Sequence, residues 1–285
     1  MLTVQKLGIP GGDAFLLSDN TTAFLLDSGF AFSGGKLAEQ IREKLGDRPL
    51  DAILLTHSHY DHAGGAMHVK SLYPNAEIIA HEYAEKVFQK DGAKRTMKEL
   101  DSTEAHIRGV LEYDDLFDIL HADRVVLDGD TVQLGAHTFT VLHLPGHTRC
   151  SVGYWCEEYR LLLASETLGV PASEDVVSPT YLVGYQMTLD SIDRVAALSP
   201  EHIVVPHNGC VIGKDACADF LTKARHWAVE AHDRIHAAHG AGETDAACIE
   251  ILRRLFYTPK TALVQPVKAF ELNASYMVPM LLKEP

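Results

Sequence analysis

Asp51-Ala-Ile-Leu-Leu-Thr56-His57-Ser58-His59-Tyr60-Asp61-His62-Ala63-Gly64-Gly65 changes character at its midpoint. The first half is a short apolar run, the pattern of a deeply buried strand. Directly after it stand four candidate metal ligands within six residues, His57, His59, Asp61 and His62. Side chains two apart in an extended chain point the same way, so His57 and His59 can grip one ion through neutral imidazole nitrogens while Asp61 and His62 face elsewhere. Imidazoles crowded around a carboxylate would repel one another once protonated and would gain little as a plain polar turn, so the cluster reads as a metal site. Ala63-Gly64-Gly65 lets the backbone turn tightly and begin a helix close to whatever is bound.

Outward from this stretch, Thr22 to Asp27 reads as a second strand closed by the turn Ser28-Gly29. Between the two strands, Gly35 to Leu45 places Leu37, Ile41 and Leu45 at helical spacing, so strand and helix alternate and the fold is mixed α/β. Glu77 to Ala80 is a further strand, and the polar, acidic stretch 82–121 reads as a helical insertion. From Arg124 to Tyr159 short apolar runs are separated by Asp-Gly and Gly turns, which indicates sheet. Leu161 to Ala164 and His202 to Val205 are two more brief strands that deliver terminal side chains to a sheet edge. Beyond residue 213 the pattern changes. Phe220, Ala224, Trp227, Ala231 and Ile235 fall three or four apart on one amphipathic helix, and a second begins after Thr244 and stops before Pro259. The expected organisation is a sheet domain over 1–213 and a helical extension over 214–285 that covers the site.

The chain has 285 residues, 46% apolar and 22% charged, enough for a packed core. Its 25 basic and 39 acidic residues give a net charge of −14, with no long basic cluster, which argues against a nucleic-acid partner. No run of 18 apolar residues and no signal-type N-terminus is present, so neither a membrane span nor secretion is expected. Five scattered cysteines read as reduced thiols of a cytoplasmic protein.

The motif His57-x-His59-x-Asp61-His62 at the end of a strand resembles the signature of the metallo-β-lactamase fold superfamily. Leu144-Pro-Gly-His147-Thr148 resembles that superfamily's third histidine segment and Val204-Val-Pro-His207-Asn-Gly209 its last, in the same order along about the first 210 residues. Asp27-Ser-Gly29 is similar to its early Asp-Thr-Gly turn, and Asp128-Gly-Asp130 to the hairpin before the third histidine. The resemblance implies a four-layer αβ/βα sandwich with a C-terminal α-helical appendage. It also implies two divalent ions, zinc, iron or manganese: one on His57, His59 and His147, the other on Asp61, His62 and His207. The family's bridging aspartate is replaced by Glu166, whose extra methylene changes its reach. Such a pair of ions, about 3.5–4 Å apart, would ionise a bridging water, and Asp61 would orient the resulting hydroxide.

Among relatives, the first group of true β-lactamases carries a cysteine at the Glu166 position and lacks the His62 equivalent. RNA-processing members fit poorly with the acidic balance. Flavodiiron members replace the histidine at His59 with glutamate and add a flavodoxin-like domain. The closest layouts are glyoxalase II-like and quinolone-signal-response-type thioesterases, the latter with C-terminal helices over the site. The expected activity is therefore a metal-dependent hydrolase of a small, anionic acyl thioester or ester. The alternatives are a lactonase or phosphodiesterase of the same fold, a non-haem di-iron oxygen-binding or redox protein, and a regulator that keeps the metal cage but acts through protein contacts. Tyr181, Tyr185, Arg253 and Arg254 are candidate substrate contacts, and a homo-oligomer is compatible with the sequence. His232, His236 and His239 share one side of the first tail helix, as a polar face, a second metal site or the pocket mouth.

Overall fold

The computed structural model describes residues 2–284. The chain packs as two units, residues 1–142 and 143–285, each mixing strands and helices. The α/β reading of the sequence holds in both.

In the first unit the chain runs β1 (Thr3–Ile9), β2 (Gly12–Ser18), β3 (Ala23–Leu26), α1 (Gly34–Leu45), β4 (Ala52–Leu54), α2 (Tyr60–Ala63), α3 (Ala66–Leu72), β5 (Glu77–His81), α4 (Glu82–Phe88), α5 (Asp91–Ile107) and β6 (Arg124–Val126). The hairpin β7 (Thr131–Leu134) and β8 (His137–His143) follows and runs up to the unit boundary. The sheet order is β1 to β6 in sequence order, antiparallel from β1 to β3 and parallel from β3 to β6. Every residue of β3 and β4 is buried, as expected of parallel strands covered on both faces. The helix α1 buries Leu37, Ile41 and Leu45, the stripe that its spacing predicts. The hairpin of β1 and β2 has no clean alternation to announce it, because Gly12 to Leu17 are all buried.

The stretch after β5 carries α4 and α5, and helix ends at Ile107. Gly109 adopts φ 78 and Val110 N–H returns to the Ala105 carbonyl, a C-terminal cap that stops helical growth. From there to β6 the chain is irregular apart from a single 3-10 turn at Phe117–Ile119.

In the second unit β9 (Val152–Cys156) and β10 (Leu161–Leu163) are antiparallel neighbours, followed by the two-residue strands β11 (Val170–Pro171) and β12 (Val177–Ser178), and by α6 (Tyr185–Leu198). Next, β13 (His202–Val205) lies parallel to β10, and β14 (Gly209–Ile212) antiparallel to β13. Four helices complete the chain: α7 (Lys214–Gly240), α8 (Asp245–Phe256), α9 (Pro259–Val264) and α10 (Val267–Leu281). Thr244 and Thr258 cap α8 and α9 with their hydroxyls, and Pro259 opens α9 where its missing N–H costs nothing. Ala228, Ala231, Ile235, Leu252, Phe256, Phe270 and Met277 of these helices share one apolar cluster with Tyr181 and Leu189. No helix among the described residues is long and apolar enough to cross a membrane, and the five cysteines are all thiols.

One buried carboxyl in the first unit serves packing. Asp101 of α5 is fully enclosed and accepts the Ala31 N–H at 2.9 Å. Burial pushes its pKa up from 3.8 to about 6. A carboxyl raised on folding contributes stability that is complete below the unfolded value and lost as pH rises through the folded one. Wild type should therefore lose on the order of 3 kcal/mol relative to Asp101→Asn between about pH 4 and pH 7. Urea unfolding of both proteins across that range tests this, and parallel stability curves would refute it.

Candidate metal centre

Asp27 ends β3 in the left-handed region, φ 55, and is buried. Its carboxylate accepts Thr56 N–H at 2.8 Å, the Thr56 hydroxyl at 2.9–3.0 Å and the His62 Nδ1–H at 2.8 Å. The Thr56 hydroxyl has one proton and an ionised carboxylate can only accept, so that proton goes to Asp27. Thr56 Oγ1 is then the acceptor for His57 Nδ1, 3.0 Å away. One carboxylate thus sets both tautomers, directing the Nε2 lone pairs of His57 and His62 outward. This is the buttressing usual for imidazoles that bind metal.

The backbone turns helical at Tyr60, with His59 as N-cap of α2. The turn brings the His62 ring to 4.1 Å from that of His57, closer than His59 at 4.7 Å. The loop is helical from Tyr60 rather than extended throughout, yet the donor atoms still group as His57 with His59 and Asp61 with His62. Donor atoms of His57 and His59 approach within 4.8 Å, as do those of Asp61 and His62. Ser28 clamps the turn, its N–H and hydroxyl both donating to the His62 carbonyl at 2.6 and 2.8 Å. Gly64 and Gly65 have ordinary negative φ values, −61 and −79. They are glycines because a Cβ on Gly65 would sit 2.2 Å from the Ser28 carbonyl oxygen and one on Gly64 2.6 Å from Ala31 N.

In the second unit His147 follows Gly146, whose φ of 141 and whose contact with Thr188, 2.2 Å from a Cβ, admit only glycine. His147 Nδ1–H donates to the Thr180 carbonyl at 2.6 Å, so Nε2 is the nitrogen that faces Glu166 Oε2, at 2.8 Å. The other carboxylate oxygen lies 2.5 Å from His207 Nε2, and His207 sits at φ 60 in the turn between β13 and β14. Burial opposes ionisation of Glu166, but the two imidazoles outweigh it and hold the carboxyl well below the usual range. An imidazole nitrogen and a carboxylate oxygen this close share either a proton or a cation, and imidazole with carboxylate is a donor set suited to zinc, iron or manganese.

The other candidates are placed differently. Tyr181 is fully buried in the helical cluster and its hydroxyl donates to the Ala228 carbonyl at 3.2 Å, so contact with a ligand would require the cluster to open. Tyr185 stacks on His232 with centroids 4.1 Å apart. Arg253 and Arg254 both bind Glu250, at 2.6 and 2.7 Å. His232 and His236 donate to the main-chain carbonyls of Glu284 and Leu281 at 3.0–3.2 Å, so this histidine face fastens the end of α10 to α7. Asp27, Thr56 and Thr180 do most of the orienting, and only Asp27 stood in a recognisable motif.

Residues 7–207 match the family model described as the metallo-beta-lactamase superfamily. The hydroxyacylglutathione hydrolase of Bdellovibrio bacteriovorus is 28% identical over 192 residues, 67% of this chain and 60% of its own length. The acyl-coenzyme A thioesterase MBLAC2 of Gallus gallus is 26% identical over 166 residues, 55% of this chain and 57% of its own. The chain thus spans about three fifths of these curated relatives. A solved metallo-beta-lactamase family protein of Thermus thermophilus matches with TM-score 0.63 at 20% identity, covering 97% of this chain and 93% of its own. A beta-lactamase domain protein of Burkholderia ambifaria matches with TM-score 0.64 at 18% identity, covering 99% and 87%. Coverage that high takes in the C-terminal helices as well.

Replacing Asp27 by Asn leaves one acceptor oxygen for donors that used two. We expect Asp27→Asn to lower the unfolding free energy of the metal-free protein by about 2–3 kcal/mol, the cost of leaving a buried donor unsatisfied. An unchanged denaturation midpoint would show that Asp27 does not carry the turn.

Proposed function

Because the chain belongs to the metallo-β-lactamase superfamily and has that fold with a C-terminal helical region, we propose that its two donor sets together form a dinuclear centre hydrolysing a small thioester or ester. In this reading His57, His59 and His147 hold one divalent ion, Asp61, His62 and His207 the other, and Glu166 serves both. The observation that carries it is Glu166, a buried carboxylate with a histidine nitrogen on each oxygen. When bound, the ions supply Lewis acidity that polarises an acyl carbonyl and brings the pKa of water from 15.7 to about 7.

The chain's own residues provide the rest. The Asp27–Thr56 pair and the Thr180 carbonyl hold the His57, His62 and His147 rings in place through their Nδ1 atoms, so that Nε2 is the atom left to bind an ion. Asp61 is the more accessible of the two carboxylates, its side chain 21% exposed against 11% for Glu166, and its Oδ2 lies 3.7 Å from His62 Nε2. It is the proposed acceptor of the proton released when water attacks the carbonyl carbon. Thioester and ester are favoured over lactone and phosphodiester by the named activities of the two curated relatives. An anionic acyl substrate, with Tyr185, Arg253 and Arg254 among its contacts, and a cytoplasmic place of action belong to the same proposal.

The test is a panel of acyl thioesters, esters, lactones and phosphodiesters given to protein stripped by chelator and reloaded separately with zinc, iron or manganese. Thioester cleavage should fall at least 100-fold on stripping and return on reloading with one of the metals, with close to two ions per chain. Equal and negligible turnover of every class by stripped and loaded protein would end the hydrolase reading. Oxygen-dependent visible absorbance of the iron form without hydrolysis would transfer the assignment to a redox protein.

A further inference from the structure

The segment between Glu166 and α6 has little structure of its own. Its strands β11 and β12 pair at two positions only, Val170 with Ser178 and Pro171 with Val177, and so small a ribbon is not stable alone in water. Side chains from the C-terminal helices hold its main chain. Lys223 donates to the Glu174 carbonyl at 3.1 Å, Trp227 Nε1–H to that of Asp175 at 2.7 Å, and the Thr258 hydroxyl to that of Ala172 at 2.5 Å. In return, the hydroxyl of Tyr181 donates to the α7 carbonyl of Ala228.

This anchored segment ends on the two candidate ligands of the second unit. The Thr180 hydroxyl donates to the Glu166 carbonyl at 2.6 Å, and the Thr180 carbonyl accepts His147 Nδ1–H at the same distance. Two residues on, Leu182 and Val183 N–H both donate to the Gly146 carbonyl at 3.0 Å. His147 and Glu166 lie 19 positions apart, on separate loops, and Thr180 is bonded to both.

We propose that Thr180 is a positioning residue for the metal centre and that α7 and the loop before α9 act as its anchor, holding Thr180 where it fixes the His147 ring and the Glu166 main chain. This rests on the metal-dependent reading above. The helical extension then has a task in the resting protein, setting ligand geometry before any substrate arrives. Outer partners of metal ligands typically change metal affinity 10–100-fold when removed, because a tilted ring or shifted carboxylate no longer meets the ion along its lone pair.

The test titrates Co2+ into the metal-free full chain and its variants, reading visible absorption, with thermal unfolding of the metal-free proteins in parallel. Thr180→Val keeps the shape and loses the hydroxyl, whereas Thr180→Ser keeps the hydroxyl. We expect Thr180→Val to weaken Co2+ binding about 10-fold or more and to alter the absorption band, and Thr180→Ser to stay within about threefold of wild type, without a matching change in metal-free melting temperature. Trp227→Phe, which touches neither ligand and loses its bond to Asp175 and part of its edge contact with Phe256, should weaken binding in the same direction by a smaller factor. Wild-type affinity and spectrum in Thr180→Val overturn the proposal. If that variant does not fold, unchanged Co2+ binding by Trp227→Phe overturns it. Failure of the metal reading itself is distinct, since wild type would then take up no Co2+.

Discussion

Three separate pieces of the first unit end on one buried carboxylate. Asp27 closes β3, Thr56 follows β4 and His62 lies on α2, and only an acceptor between them satisfies the main-chain N–H, the hydroxyl and the imidazole together. Because Thr56 has a single hydroxyl proton, the same carboxylate fixes His57 at one remove. The left-handed backbone at Asp27 is the strain this arrangement carries, of order 1–3 kcal/mol for a non-glycine residue. It is tolerable because the surrounding strands are wholly buried and cannot relax around it.

The second unit solves the same orientation problem with a neutral acceptor. His147 leans on a backbone carbonyl, and the negative charge is concentrated in Glu166. In the proposed centre, two divalent ions would bring four positive charges against the carboxylates Asp61 and Glu166 and one hydroxide, leaving an excess of one. On a chain of net charge −14, attraction for an anionic acyl group would therefore come from the centre and its immediate surroundings.

The candidate donors stand out in the sequence because each lies in a short local stretch, and the strands and helices around them because their apolar spacing is local too. Leu37, Ile41 and Leu45 mark α1, and Ala224, Ala231 and Ile235 mark α7. What was not legible depends on contacts distant in sequence. Asp27 reaches His62 across 35 positions and Thr180 reaches His147 across 33, and nothing at either end identifies the partner. The helical turn at Tyr60 was hidden for another reason: four residues are too few for a periodic signal, so the loop read as extended. Tyr181 looked like a pocket wall because sequence shows an aromatic residue without showing which surface it packs against.

The tail's hold on the 170–181 segment runs mostly through main-chain carbonyls, those of Ala172, Glu174 and Asp175, while the donors are helix side chains. Such contacts do not depend on which side chains the segment carries. Substitution along it can alter whatever the segment faces while Thr180 keeps its place, provided Lys223, Trp227 and Thr258 remain. Ligand geometry and the chemistry of the loop surface are thereby separated: one is assigned to the helices and the other is left open to change. A lid acting only by excluding water would need no donors aimed at the backbone of the segment that carries Thr180, and these three side chains therefore favour a scaffold.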